Sequence, residues 1–160
     1  MRGEATSWRD AAESCLPGGF PGRPVRRAAV RAKRRAGIDY DGIPASLIDA
    51  AIEPGDTGYS RVRSTYMRGG APGLVLQPAT PAQVVDALAF ARRHPDVPFG
   101  VRSGGHGISG RSTNDGGIII DLSRMNAIEV LDEATRRVRI EPGARWMEVA
   151  AALEPHGWAL

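Results

Sequence analysis

A glycine-rich segment between two apolar runs most constrains how this chain can fold. It spans residues 102–117 and begins Arg-Ser-Gly-Gly-His-Gly-Ile-Ser-Gly, between residues 98–101 and 118–120, which have the apolar composition of strands. Long loops within a compact domain are uncommon and tend to be functional. Glycines let the main chain approach a ligand closely, and consecutive N–H groups can form a concave anion site. The segment therefore predicts a site for a phosphate or pyrophosphate.

Two side chains within this segment favour a binding loop over a flexible surface loop, the alternative that glycine content alone leaves open. Arg102 provides a fixed cation beside the predicted anion site, and His106 provides a nucleophile within it.

Charge is distributed unevenly along the 160 residues, a length suited to one modest domain. The net charge is +3, but residues 1–40 carry 9 Lys and Arg against 4 Asp and Glu, whereas residues 41–160 carry 12 against 14. The first segment is thus +5 and the remainder −2, so the body of the protein is not basic. Cys15 is the only cysteine, which excludes an intrachain disulfide and a thiolate metal cluster.

No apolar run is long enough to cross a membrane, and the N-terminus lacks the apolar core of a secretory signal. We therefore expect no membrane partner and a cytoplasmic location. The sequence also predicts no metal site.

Three regions are predicted along the chain. Residues 1–40 form a basic extension without fixed structure, residues 41–72 a linker with a short helix over residues 44–52, and residues 73–160 a folded domain. Nucleic-acid binding through residues 23–35 is an alternative role for the extension. No aromatic residues are interleaved with these cations for base stacking, so a nucleic-acid partner is not expected.

A β-α-β unit is predicted before the glycine-rich segment. Residues 74–76 form a buried strand, Thr80 caps a helix that continues with Pro81, and Gln83 reaches back to the cap N–H. The second strand covers residues 97–101. The predicted buried stripe of the helix consists of Val84, Val85, Leu88 and Ala91. His94 is expected to be a solvated residue at the end of the helix.

After the segment, residues 118–120 read as a strand buried on both faces and residues 127–131 and 136–140 as a hairpin. A last helix presents an apolar stripe for core packing, and residues 158–160 begin another strand. The fold class is α+β. The stripe comprises Trp146, Val149, Ala150 and Leu153.

Laid out in this order, the sequence resembles the N-terminal half of a PCMH-type FAD-binding domain of the vanillyl-alcohol-oxidase or p-cresol-methylhydroxylase family. Among its members, the berberine-bridge-enzyme-like oxidoreductases are the most similar. The resemblance covers a little over half of the chain. It is carried by residues 76–78, 80–84, 101–106, 116–126, 142–146 and 152–157.

The resemblance implies that the glycine-rich loop wraps the FAD pyrophosphate with backbone N–H groups and that His106 attaches covalently to the flavin. A histidine that only hydrogen-bonds within the loop is the alternative for His106, and Arg102 is expected to orient or anchor the loop. The predicted cofactor-binding residues are Arg102, Ser103, Gly104, Gly105, His106, Gly107 and Ser109.

The family resemblance also implies an FAD-dependent oxidoreductase that takes a hydride from an alcohol, a sugar or a similar small-molecule substrate. The family's second glycine-rich segment and its substrate domain, with the catalytic base, have no counterpart before Leu160. No catalytic residue is therefore assigned, and the chain alone is expected to be inactive. A non-enzymatic nucleotide- or flavin-binding module is the main alternative function.

Overall fold

A computed structural model describes residues 28–159. The helices are α1 (Ala28–Arg31), α2 (Tyr59–Val62), α3 (Pro81–Arg92) and α4 (Trp146–Leu153), with 3₁₀ turns at Tyr40–Gly42, Ala45–Ala50, Leu122–Arg124 and Glu154–His156. The strands are β1 (Ala51–Ile52), β2 (Leu74–Leu76), β3 (Phe99–Arg102), β4 (Ile118–Asp121), β5 (Ile128–Asp132) and β6 (Arg137–Ile140). This is the α+β fold that the sequence predicts.

The central sheet has the strand order β1-β2-β4-β3. β4 runs parallel to both β2 and β3, and β1 pairs antiparallel with β2. Every side chain of β2 and β4 is buried, as expected for strands that are covered on both faces. Because β3 and β4 run parallel, the glycine-rich segment returns from the carboxyl end of β3 to the amino end of β4.

Helix α3 crosses from β2 to β3, as predicted, and begins at the expected cap. The Gln83 N–H donates to Thr80 Oγ1 at 3.2 Å. The reciprocal bond differs from the prediction, because Gln83 Oε1 accepts from the N–H of Ala79 at 2.8 Å and not from that of Thr80.

The predicted buried stripe of α3 is correct only in part, since Val84 and Ala91 are half-buried. Ala87 and Phe90 are fully buried, whereas Val85 is 65% exposed and Leu88 is 36% exposed. Apolar residues occupy most of the helix surface, so the sequence offers two stripes of similar hydrophobicity. The small Ala87 and the large Phe90 fit against the sheet, which selects the second stripe.

His94 is buried, not solvated as predicted. The backbone N–H of Asp39 donates to its Nε2 at 3.0 Å, and its Nδ1 lies 2.8 Å from the carbonyl oxygen of Phe90. Since Nε2 accepts a hydrogen bond, Nδ1 carries the proton and donates to that carbonyl. His94 therefore connects the end of α3 to the segment that precedes β1.

Residues 28–40 pack against the sheet, which differs from the extension without fixed structure predicted for this part of the chain. Ile38 and Tyr40 belong to the main apolar core, and Val30 is also buried. Arg34 forms two bonds to the buried carboxylate of Glu53, at 2.6 and 3.0 Å. The apolar residues between the cations, and this long-range ion pair, account for the order. Residues 1–27, including Cys15, lie outside the described residues.

Residues 41–72 contain more secondary structure than the predicted linker with one helix. The predicted helix over residues 44–52 is instead the 3₁₀ turn Ala45–Ala50 followed by β1, in which Ala51 pairs with Leu76. The turn buries Leu47 and Ala50 in the same core as β2.

The C-terminal part contains the predicted hairpin and helix. Ile128 pairs with Ile140 across β5 and β6. In α4, Val149 and Leu153 are buried as predicted, but Trp146 is 74% exposed and Ala150 is also exposed, so only half of the predicted stripe packs inward. Residues 158–159 form no strand. Across residues 28–159, no helix is long and apolar enough to cross a membrane.

Candidate functional site

Arg102, at the carboxyl end of β3, anchors the start of the glycine-rich loop. Its guanidinium is buried and donates through Nη2 to Asp121 Oδ2 at 2.5 Å. Through Nη1 it donates to the carbonyl oxygens of Val62 at 2.6 Å and Ser64 at 3.2 Å. These bonds connect the start of the loop to β4 and to residues 62–64, and the cofactor-binding role of Arg102 stays a prediction.

Asp121 is a residue of this site to which the sequence analysis assigned no role. It is fully buried at the end of β4 and also accepts from Gln77 Nε2 at 3.0 Å and from the Ser123 N–H at 3.1 Å. Its carboxylate thus joins the carboxyl ends of β2, β3 and β4. The acidic residue at the end of an otherwise apolar strand was the available sequence signal.

The loop itself presents a run of backbone donors. Among the described residues, the N–H groups of residues 104–109 donate to no protein acceptor. Gly105 and Gly110 adopt left-handed φ angles of +71° and +72°, which an L side chain rarely adopts. Successive N–H groups around a left-handed residue can form an anion-binding concavity, so this loop fits the pyrophosphate of FAD.

A cleft of about 720 Å³ separates this loop from the start of α4. Five of the predicted cofactor-binding residues, Ser103 to His106 and Gly107, line the cleft together with Ser112 and residues 144–148. Arg102 and Ser109, the other two, do not line it. The loop is held to the opposite wall where Ser103 Oγ donates to the carbonyl oxygen of Pro142.

His106 is exposed at the edge of this cleft, beside an aromatic residue that the sequence analysis did not select. The ring centroids of His106 and Tyr66 are 6.1 Å apart, and the N–H of Tyr66 donates to the carbonyl oxygen of Gly105 at 3.4 Å. The imidazole of His106 is therefore accessible to a ligand in the cleft. No pattern in the sequence places Tyr66 beside the loop.

The opposite wall supplies apolar surface and one cation. Trp146 is 74% exposed and Met147 is 86% exposed, and Arg145 lines the same wall. Backbone donors on one side and apolar surface on the other suit a ligand with an anionic part and a planar ring system. Within residues 28–159, no group of three or more His, Cys, Asp and Glu side chains could hold a metal ion.

Comparison with known proteins agrees with this geometry. The FAD binding domain family matches residues 72–160. The (R)-6-hydroxynicotine oxidase of Paenarthrobacter nicotinovorans is 33% identical over 102 residues, which are 62% of this chain and 22% of the oxidase.

Solved structures give the same result. The crystal structure of 6-hydroxy-D-nicotine oxidase from Arthrobacter nicotinovorans superposes with a TM-score of 0.60 at 30% identity, over 67% of this chain and 24% of that one. A chitooligosaccharide oxidase superposes with a TM-score of 0.58 at 28% identity, over 67% and 23%. The chain spans less than a quarter of the length of each of these relatives. It belongs to the FAD binding domain family of PCMH-type, berberine-bridge-like FAD-linked oxidoreductases, and FAD is its cofactor.

Proposed function

We propose that this chain contributes the pyrophosphate-binding half of the flavin site in an FAD-dependent oxidoreductase, and that His106 is the point of covalent attachment. The substrate class we propose is an alcohol or a sugar, since the relatives include a chitooligosaccharide oxidase. When bound, FAD supplies the hydride acceptor. The observation that carries the proposal is the run of N–H donors at residues 104–109, of which residues 104–107 line a cleft beside an accessible imidazole.

The residues of the chain have separate tasks in this proposal. The N–H groups of the loop bind the pyrophosphate, and Arg102 with Asp121 holds the base of the loop in place. Trp146 and Met147 supply exposed apolar surface against which the flavin ring packs. His106 fixes the cofactor through its side chain. Hydride transfer needs a substrate-binding surface and a base for which we identify no residues in this chain, so we expect the chain alone to be inactive.

The covalent link is tested by producing the full chain with riboflavin supplied and examining it for flavin fluorescence on a denaturing gel and by intact mass. We expect the mass to include FAD in the parent chain and to lack it in His106→Ala. His156→Ala is the matched control, because His156 pairs with Glu133 away from the cleft and should retain the flavin.

A bare polypeptide mass in the parent chain would contradict attachment by this chain. Reversible FAD binding without an adduct would then favour the non-enzymatic nucleotide- or flavin-binding module. Loss of flavin in both histidine variants would assign the effect to folding and not to the imidazole of His106.

A further inference from the structure

A second concave surface lies near the amino end of β2 and shares no lining residue with the cofactor cleft. It is a groove of about 410 Å³ lined by residues 32–35, Pro54, Tyr59, Arg63 and Ala71, and we call it the basic groove. All of these residues precede the segment matched by the FAD binding domain family. The cofactor site does not account for it.

Positive charge dominates the lining of the basic groove. Lys33, Arg35 and Arg63 come from two distant parts of the chain, and no carboxylate side chain lines the groove. Arg34 differs from these three, because its charge is matched by Glu53 at 2.6 Å and Asp41 at 3.5 Å. Among the described residues, Lys33, Arg35 and Arg63 form no ion pair.

Two further carboxylates accept hydrogen bonds from the backbone of residues in or beside the groove. Asp115 Oδ1 accepts from the N–H of Ala71 at 2.8 Å, and Asp56 Oδ2 accepts from the N–H of Glu53 at 2.8 Å. Concentrated like charge is unfavourable until a counter-ion binds, and a cleft lined by one sign of charge attracts that counter-ion.

The pKa of the Tyr59 hydroxyl depends on two of these cations. Burial raises the pKa of this hydroxyl, whereas Arg63 and then Arg35 lower the pKa through their charge, and Asp115 raises it. Both guanidinium groups therefore act on the same point of the groove. The hydroxyl donates to the carbonyl oxygen of Pro72 at 2.8 Å, which fixes the ring in the groove.

Two of the cations lie against glycines of the fold. A methyl group added at Gly73 would lie 3.0 Å from Arg35 Cγ, and a methyl group at Gly55 would lie 3.5 Å from Lys33 Nζ. The backbone N–H of Arg35 donates to Tyr40 Oη at 3.0 Å, which fixes the main chain at this position. Lys33 and Arg35 are both exposed, so their charged groups are accessible to a ligand in the groove.

We propose that the basic groove binds a small molecule through its phosphate or pyrophosphate group, independently of the flavin site. Guanidinium groups match phosphate oxygens in a fork geometry, and the ammonium group adds a further charged donor. The groove volume falls within the range of small-ligand sites.

Inorganic phosphate and pyrophosphate are the probes. They are titrated into the isotope-labelled full chain at low ionic strength, and chemical-shift changes at residues 33, 35 and 63 are followed separately from those at residues 104–109. We expect saturable shifts at the groove that persist in His106→Ala. Arg63→Gln should weaken pyrophosphate binding there by about tenfold, the loss expected for one charged hydrogen-bonding partner.

Arg61→Gln is the matched control, because Arg61 lies two residues away on α2 and does not line the groove. It should retain the affinity of the parent chain. Lys33→Gln gives a second test should Arg63→Gln fail to fold. Shifts confined to the glycine-rich loop, no saturable binding, or equal losses in Arg61→Gln and Arg63→Gln would each overturn the proposal.

A nucleic-acid ligand is distinguished by the same variants. A single-stranded oligonucleotide that binds far more tightly than pyrophosphate, and that is weakened equally by Arg31→Gln and Arg63→Gln, would indicate a diffuse polyanion surface. That outcome would also overturn the proposal, since Arg31 does not line the groove.

Discussion

One buried ion pair determines how the cofactor loop leaves the sheet. Arg102 and Asp121 are side by side at the ends of β3 and β4, with side chains 9% and 0% exposed. Replacing one partner of such a pair leaves an uncompensated charge away from water. The pair also connects the loop to residues 62–64 through the carbonyl oxygens that Arg102 binds.

Asp121→Asn tests this role. The amide keeps the shape of the side chain but removes the charge that faces Arg102, so we expect a loss of about 3–5 kcal/mol in the free energy of unfolding. Urea denaturation measures it. Glu129→Gln is the matched control, because Glu129 and Arg139 form an exposed pair with side chains 57% and 64% exposed. Breaking an exposed pair costs about 0–1 kcal/mol, and equal losses in the two variants would contradict the assignment.

At the scale of elements, the start of β4 depends on the absence of a side chain. A methyl group at Gly117 would lie 2.0 Å from the carbonyl oxygen of Pro98, which leads into the neighbouring strand β3. The N–H of Ile118 donates to this same oxygen at 2.8 Å. A side chain at Gly117 therefore requires β3 and β4 to separate where the glycine-rich loop rejoins the sheet.

Gly117→Ala should consequently lower the free energy of unfolding by about 1–3 kcal/mol or more, the usual cost of overpacking a tight site. Thermal unfolding followed by circular dichroism measures the effect. Gly69→Ala is the control, since a methyl group there meets no atom within 4 Å. A melting temperature unchanged by Gly117→Ala would show that β4 can move away from Pro98 at little cost.

Elements that local pattern defines were predicted correctly. The isoleucines of β4 and the Thr80 cap of α3 each follow from spacing along the chain. The face of α3 was not predictable, because apolar residues lie around most of that helix and only the sheet selects Phe90 over Val85. Trp146 fits an apolar stripe by spacing, yet it lines the cleft.

Contacts between residues that lie far apart in the chain could also not be predicted from the sequence. His94 meets Asp39, 55 residues earlier in the chain, and Arg34 meets Glu53. No pattern in the sequence around these residues indicates which partner each of them contacts. The cofactor loop was predictable because a glycine run with a histidine is itself the functional feature, whereas its neighbour Tyr66 arrives from a separate segment.

At the scale of the whole molecule, Tyr40 joins the segment before β1 to the sheet. Its hydroxyl donates to the carbonyl oxygen of Gly73 at 2.9 Å and accepts from the N–H of Arg35 at 3.0 Å. Burial is the largest cause that raises the pKa of this hydroxyl above its usual value. The folded state therefore retains the Tyr40 proton at pH values at which the unfolded chain has begun to lose it.

Stability should in consequence fall as the pH rises past about 10, the usual pKa of tyrosine, because the unfolded chain then binds fewer protons than the folded one. Urea midpoints at about pH 8 and about pH 11 measure the loss.

Tyr40→Phe should be less stable by about 1 kcal/mol at the lower pH, since its hydrogen bonds are gone, but should lose less stability on going to the higher pH. The half-buried Tyr59, whose pKa is also raised by burial of its hydroxyl, keeps part of the dependence. Tyr66→Phe is the control, because Tyr66 is 82% exposed and should leave the parent profile unchanged. If Tyr40→Phe and Tyr66→Phe gave the same alkaline loss as the parent chain, Tyr40 would not be the group that couples this segment to pH.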